Sequence, residues 1–473
     1  MVRIVGMIVL ALLLGSCSKD PNEQANKLFV EAQQQVQQSK SQEPEERLKT
    51  LRMASEKLNA IVTKYPGTNL AVQLISGQAV GEISIKNVQE AVADTSWSIC
   101  KKDPQRECLV ARALQIEEAL KNQFERISPL AAIAAAEQRA GQDKEAAAYF
   151  EQALKIVQTI QNDDALARNL HVVAVAQVDA GLTDDALKTA GFAKGSNRWS
   201  LYYDVASAEL KHGLFSDALQ ASQYIDESIQ PARSSLLSDI SCAEANAGKI
   251  PEATKLLESM QYTWMRVPGY VAIAQARLRA GQKTEAMDAL KLALDITHNE
   301  TSQIYKARHL ENVASVQDTM NLPDDARRNF EESSQIIANE ESKWSSETLA
   351  PELMVPRFVG VAKDQAKYGQ IDGAKANFAL AVKTAKAIQL DQIRSSSLLV
   401  ISQAQLNVGM VDPALDTASM INSSSLKGLA FVDIVEIQAK SGNVADAVQL
   451  TEAIDDASAR ATALGKIALA MQH

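Results

Sequence analysis

Aromatic residues are scarce in this chain: Phe, Trp and Tyr together make 5% of 473 residues, which excludes a thick core built on rings. The five histidines, His171, His212, His298, His309 and His473, lack the i, i+4 pairing with Glu that a zinc hydrolase helix needs. Four cysteines are too few for a disulfide-dense scaffold. The 20 glycines and 12 prolines build no phosphate-cradling loop and no G-x-S-x-G elbow, and no alternating strand pattern exists to carry either. Basic charge is also short. Lys and Arg number 48 against 58 Asp and Glu, giving net charge −10 and a pI near 5.3. A field of that sign repels nucleic acid and anionic lipid. The carboxylate pairs Asp163-Asp164 and Asp455-Asp456 and the run Ser395 to Ser397 fall at helix starts, where capping accounts for them. No catalytic residue, metal ligand or cofactor is expected, and nothing argues for an enzyme.

What is present is repetition. The stretch Leu130 to Ala146, LAAIAAAEQRAGQDKEA, recurs with its spacing intact. Anchored on the residue that breaks the helical pattern, nine copies centre on Gly141, Gly181, Gly213, Gly248, Gly281, Asn321, Gly369, Gly409 and Gly442, at intervals of 40, 32, 35, 33, 40, 48, 40 and 33. Five after every anchor stands Ala, from Ala146 to Ala447; eight before stands Ile or Val; eleven before stands Leu, Tyr or Phe. Seven before is Ala or Ser in every copy but the last, which has Val435. Sites three and four apart share one helix face, so these positions form an apolar stripe with a small residue where a neighbour approaches closely. Gly, or Asn, ends that helix in the left-handed conformation. An acidic residue four after the anchor in seven copies meets the positive end of a second helix, and Thr183, Ser216 and Thr284 stand where an N-cap is expected.

These sites resemble the tetratricopeptide repeat, whose large, Leu, small, Gly, Ala and aromatic positions match Leu130, Ile133, Ala134, Gly141, Ala146 and Phe150 in order. Phe330 and Phe378 repeat the last match; Ala190 and Thr451 depart from it. The family's Tyr four before the anchor is here Glu, Gln or Arg in every copy, beginning with Glu137. The resemblance implies an all-α, right-handed α-solenoid of about nine to eleven tetratricopeptide-like helical hairpins over roughly the last three-quarters of the chain. A length prior of about three domains gives way to one array, since each hairpin buries its face only against the next.

The opening residues have a different logic. Arg3, an apolar run from Ile4 to Leu14, then Leu14-Gly15-Ser16-Cys17 follow the order of a secretory signal, and the run is too short for a comfortable span. Leu-Gly-Ser-Cys resembles the lipobox of bacterial lipoproteins, which implies removal of residues 1–16 and acylation of Cys17, the first mature residue. Ser18 rather than Asp after the Cys implies, for a Gram-negative host, the outer membrane, facing the periplasm. Residues 17–123 are expected to form a tether and a helical region with one hairpin, in which Tyr65-Pro66-Gly67-Thr68 resembles the turn of periplasmic tetratricopeptide lipoproteins of the outer-membrane assembly type. Residues 124–473 are the solenoid, closed by the capping helix Ala457 to Gln472.

Cys100 and Cys108 bracket the polar loop KKDPQRE: in an oxidising compartment a bridge closes it, and otherwise they are two thiols. Cys242 falls inside a first helix, where packing is its expected role. The 48-residue interval holds an extra stretch, Lys343 to Pro356, whose prolines predict a protruding loop or a change of path.

Two sets of side chains are left over from packing. Arg126, Arg198, Arg233, Arg266, Lys306, Arg394 and Lys427 stand fifteen before their anchors, either capping neighbouring helix carbonyls or forming a rail for an anionic partner. Gln275, Arg279, Lys363, Lys367, Gln403 and Asn407, six and two before the anchors, would line the groove of first helices and receive an extended or helical segment of another protein. The function expected is a lipid-anchored periplasmic scaffold or adaptor for envelope proteins, with no nucleic acid and with membrane contact only through acylated Cys17. The alternative is a helical-repeat lipoprotein that binds glycan or peptidoglycan, which would need Trp97, Trp199, Trp264 or Trp344 to converge on one cleft.

Overall fold

A computed structural model describes residues 20–226, 229–344, 351–367 and 371–471, without the side chains of a few of them. The signal segment and Cys17 lie outside the described residues. The chain divides into two compact units after Pro104. The first contains α1 (Pro21–Ser39), α2 (Pro44–Lys64), α3 (Asn69–Ile75) and α4 (Ile85–Cys100). Its helices start on side-chain caps at Asp20, Thr68 and Ser84, and pack around Phe29, Leu58, Ile61 and Leu74. Tyr65 donates to Gln24 at 2.8 Å, fastening the turn after α2 back onto α1.

The second unit starts with α5 (Arg106–Glu118). Nine hairpins follow: α6 (Ile127–Arg139) with α7 (Asp143–Val157), α8 (Asp163–Asp179) with α9 (Thr183–Gly191), α10 (Ser196–Lys211) with α11 (Phe215–Ser222), α12 (Gln230–Asn246) with α13 (Ile250–Ser259), α14 (Val267–Arg279) with α15 (Lys283–His298), α16 (Gln303–Thr319) with α17 (Pro323–Trp344), α18 (Pro351–Lys367) with α19 (Ile371–Lys386), α20 (Asp391–Asn407) with α21 (Val411–Ser419), and α22 (Ser424–Lys440) with α23 (Val444–Thr451). The last helix is α24 (Ala457–Ala470). The chain is therefore an all-α array of tetratricopeptide-like hairpins.

The turn follows from the anchor. Eight anchors have positive φ, from 61° at Asn321 to 86° at Gly442, while Gly369 lies outside the described residues. In the first copy Gln142 N donates to Glu137 O at 2.9 Å and Gly141 N to Gln138 O at 3.0 Å, satisfying carbonyls that the helix end exposes. The anchor thus leads directly into the second helix, and the residue after it takes the cap position. Thr183, Ser216 and Thr284 consequently lie within their helices, whose caps are Leu182, Leu214 and Gln282 and carry no side-chain cap bond. Ala146, Ala186, Ala218, Ala253, Ala286, Ala374, Ala414 and Ala447 are fully buried where the helices cross, and Ala326 nearly so.

The end of the array differs from a cap. α24 packs against α22 and α23 on one side and against α6 and α5 on the other. It has the place of a first helix, and the helix packed against it as its second is α5, from before the first anchor. A tenth hairpin is thus assembled from both ends of the unit, and hairpin packing continues through it. This is why the structural division falls after Pro104 rather than at residue 123: α5 belongs to the array. Gly465 permits the joint, because a Cβ there would stand 2.9 Å from Ala132 Cβ and 3.1 Å from the Ile133 amide nitrogen. Ser458 adds a hydrogen bond to Glu125 O.

The described residues of the extra stretch are helical. Lys343 and Trp344 extend α17, Pro351 opens α18, where a missing N–H costs nothing, and Pro356 lies inside α18; residues 345–350 lie outside the described residues.

Candidate partner-binding surface

The basic ladder at the start of the first helices is anchored to the fold. Arg198 Nε donates to Ala193 O at 2.8 Å, Arg266 to Met260 O at 2.5 Å, and Arg394 to Ile388 O at 2.8 Å. Each guanidinium reaches back five or six residues to a carbonyl at the end of the preceding second helix, whose last carbonyls have no helical partner. Arg126 pairs with buried Glu117, Lys306 with Glu332 at 3.0 Å, and Lys427 lies over the Phe431 ring at 5.8 Å. Arg233 is also engaged. An eighth member escaped the sequence reading: Arg460 donates to Ile454 O at 2.9 Å. It stands four before Leu464 as Arg126 stands four before Leu130, and that spacing is the signal that identifies α24 as a first helix. The geometry assigns Arg198, Arg266, Arg394 and Arg460 to capping, while Arg126, Lys306 and Lys427 are engaged with Glu117, Glu332 and the Phe431 ring.

The groove positions divide by region. On α20 and α22, Gln403 donates to Asp433 at 2.9 Å, while Asn407 is exposed. On α14, Arg279 is exposed and donates to Asn246 of α12 at 3.0 Å; Gln275 is half-buried. Lys363 of α18 is exposed, and the side chain of Lys367 lies outside the described set.

Near α24 the same face is filled by a charge network. Lys466 Nζ lies 2.6 Å from Asp179 of α8 and 3.3 Å from Glu436 of α22, with all three side chains at most 17% exposed. His212 Nε2 lies 2.9 Å from the second Asp179 oxygen, Arg139 donates to Asp179 O at 2.7 Å, and Lys440 pairs with Glu436 at 2.6 Å. Burial works to raise the Asp179 carboxyl and to lower the Lys466 ammonium, but their mutual attraction prevails; Asp179 is held below the carboxylate range and Lys466 above the usual lysine value. Glu436 is lowered in the same way. Asp433, facing Gln403, Glu436, Lys466 and Lys211, is raised by burial. Asp179, Glu436, Lys466 and Lys440 are thus matched to one another within the chain.

In three hairpins the residue four before the anchor, where the family has Tyr, pairs with the residue eight after the anchor, whereas Glu137 pairs with Arg106. Gln177 accepts from Thr189 at 2.7 Å, Gln317 from Asn329 at 2.7 Å, and Gln365 from Asn377 at 2.9 Å. Where the partner site is Ala221 or Leu256, Glu209 and Glu244 face it instead. Neither Glu209 oxygen has a hydrogen-bond partner, and burial, with Asp217 nearby, pushes its carboxyl up to about 8. Glu244 is raised by the same cause.

Large apolar side chains remain exposed at one recurring site. Eleven after the anchor stand Phe192, Tyr224, Leu292, Leu380 and Met420, between 38% and 53% exposed. The five form a row in repeat register, broken by Ser259 and Glu332, with Phe192, Tyr224 and Met420 at or just past the ends of their second helices and Leu292 and Leu380 within theirs. Single exposed apolar residues are ordinary on protein surfaces; recurrence at a fixed repeat position is not. Sequence periodicity missed the row because it falls outside the packing stripe. Beside it, a cleft of about 510 Å³ opens between α15 and α17, lined by Met287, Leu294, His298 and Arg328 among others.

Within the second unit the two described tryptophans, Trp199 and Trp264, have separate surroundings. Trp97 is buried in the first unit, Trp199 packs partly against the core of the early hairpins, and Trp264 stacks on Tyr305 with centroids 4.5 Å apart. The side chain of Trp344 lies outside the described set. Cys100 and Cys108 are disulfide-bonded cysteines, and Cys242 is half-buried on α12 against the neighbouring core. Among the described residues no helix is long and apolar enough to cross a membrane.

No protein-family model matches the chain, and no curated protein matches it. Solved structures that it resembles include Ton1535 from Thermococcus onnurineus, with 14% identity, a TM-score of 0.23, and 86% of this chain and 99% of that one covered. A circular tandem repeat protein gives 13% identity and a TM-score of 0.17, covering 92% and 90%. Yeast Tom70 gives 12% identity and a TM-score of 0.21, covering 92% of each chain. At such scores the hairpin assignment rests on this chain's own geometry.

Proposed function

We propose that this protein is a non-catalytic scaffold that binds other proteins of the cell envelope, held at the outer membrane by an acylated Cys17 and facing the periplasm. The observation that carries the binding role is the recurring exposed row Phe192, Tyr224, Leu292, Leu380 and Met420. The repeat has its packing positions buried in almost every hairpin, and apart from Tyr224, which stacks on buried Tyr202 with centroids 4.9 Å apart, the row lies outside them. A row of separated apolar anchors on successive hairpins suits a long partner segment contacting several hairpins at once. The groove side is less suitable near α24, since Asp179, Glu436 and Lys466 are already matched there. The anchoring half of the reading is supported by the order Arg3, apolar run, Leu14-Gly15-Ser16-Cys17, and an oxidising compartment agrees with a Cys100–Cys108 bridge. The glycan alternative is not adopted, because Trp199 and Trp264 have separate surroundings.

The test is crosslinking in intact cells with the parent and with a variant carrying Phe192→Ser, Leu292→Ser, Leu380→Ser and Met420→Ser. Loss of the parent's protein crosslinks with unchanged melting temperature is the expected result; an unchanged set of crosslinks refutes the row as the binding surface. Cys17→Ser should move the protein from the membrane to the soluble fraction, and persistence in the membrane refutes the anchor.

A further inference from the structure

The repeat provides its own standard for what each joint between hairpins should look like, and one joint departs from it. Eight before the anchor, the Ile or Val is at most 3% exposed in eight hairpins: Ile133, Val173, Val205, Ile240, Ile273, Val313, Ile401 and Ile434. In α18 the equivalent Val361 is 45% exposed. Phe358, one turn earlier, is half-buried, as is Leu237 at that position in α12, whereas Leu130, Leu170, Leu310 and Leu398 are at most 1% exposed. The other side of α18 is normal, with Val355, Val359 and Ala362 buried. One face of α18, and not the helix as a whole, is therefore uncovered.

The hairpin before it shows the matching defect. Nine after the anchor the side chain is at most 5% exposed in eight hairpins, Phe150 and Phe378 among them, but Phe330 of α17 is only half-buried. It borders a cleft of about 530 Å³ with Pro323, Ala326 and Gln335. Two apolar faces, each drawn from the positions that elsewhere pack hairpin against hairpin, are thus uncovered on consecutive hairpins. Burying such side chains is favourable, and the nearest surface of the right shape is the one that the repeat places next in sequence. The two hairpins are covalently linked, so each face meets the other at a far higher effective concentration than any separate molecule offers.

We propose that hairpin α16–α17 and hairpin α18–α19 close on each other, bringing Phe358 and Val361 against Phe330 and Pro323, and that the structure shows this joint open. With the α24–α5 hairpin joining both ends of the unit, closure there completes the array as a ring, and opening makes it a clamp with a defined mouth. The occupant is the chain's own facing hairpin, because both faces have the register of one repeat interface. A second copy or a foreign helix would have to compete with it.

The full chain carrying the photocrosslinker p-benzoylphenylalanine in place of Val361 tests this. Expected is an intramolecular adduct mapping by mass spectrometry to residues 303–344, reduced at least tenfold when Phe330→Asp is added. The same crosslinker in place of exposed Leu390 should give no adduct to those residues. Adducts between two copies, adducts to another protein in place of the internal one, or no adduct at all would each overturn the proposal.

Discussion

Two joints of the array differ in an unexpected direction. Between α24 and α6 there is no continuous chain, yet the packing is complete: Gly465 lets the helices touch, Ser458 bonds to Glu125 O, and Lys466 joins Asp179 and Glu436. Between α17 and α18 the chain is continuous, yet Val361 and Phe330 stand uncovered. Connectivity evidently does not build a repeat interface. Small residues at the crossing, matched charges and register do, and the first joint has all three.

The largest expected effect removes the charge match. Lys466→Met would leave Asp179 and Glu436 as close, mostly buried carboxylates, with Lys440 and His212 partly compensating, and should cost roughly 3 kcal/mol of stability in denaturant unfolding. Because the lowered carboxylates stabilise the fold above their unfolded pKa values, the parent should lose that contribution as pH falls below the ordinary carboxylate range. A loss under 1 kcal/mol would mean that the joint does not depend on this pairing.

Acidification should separate the two regions. Glu209, on α10 in the closed part, titrates at about 8 in the fold against an ordinary 4.5, so its burial costs stability at high pH and the cost disappears as pH falls between those values. His309, on α16 beside the open joint, is pushed down to about 4 by burial, with Arg308 adding to it, from an ordinary 6.5. A depressed base loses stability as pH falls from 6.5 toward 4. Hydrogen-exchange protection factors should therefore rise on α10 and α11 and fall on α16 from pH 8 to pH 5. Each effect is bounded by about 1.4 kcal/mol per pH unit. Glu209→Gln should abolish the first change and leave the second.

The hairpins were legible because the sequence writes their packing explicitly: anchor, Ala and Ile or Val recur at fixed offsets, and their backbone angles and burial follow. The α24–α5 hairpin was half legible. Arg460 and Leu464 mark α24 as a first helix, but α5 has no anchor before it, and Leu109 and Ala113, four apart like Ala146 and Phe150, carry the large and the small residue in the opposite order. A pairing of segments more than 300 residues apart leaves no local pattern. The ladder's role was open for a similar reason, since reaching a carbonyl five or six residues back depends on turn geometry, not residue type. The exposed row at Phe192 and its equivalents was invisible to periodicity that scores burial alone.

Smaller effects test the closed joint and the ladder. Gly465→Val forces a side chain onto the Ala132 backbone and should cost up to about 3 kcal/mol, releasing α24 to protease. Arg394→Ala and Arg460→Ala, each removing a charged donor from a helix-end carbonyl, should cost about 1 kcal/mol apiece. Equal melting temperatures for parent and double variant would return the ladder to the set of partner-binding candidates.

The smallest effect has the opposite sign and isolates the open joint. Gly360 lies inside α18, one residue before Val361, and an added Cβ would meet nothing within 4 Å. Glycine within a helix is about 0.5 to 1 kcal/mol less favourable than alanine, so Gly360→Ala should stabilise the protein by that amount. The same change at Gly465 should destabilise it, since backbone atoms of α6 cannot yield. If Gly360→Ala instead lowers the denaturation midpoint, then a neighbouring helix occupies the space beside it in solution. That outcome would locate the closed form of the joint on the α18 surface that carries Gly360.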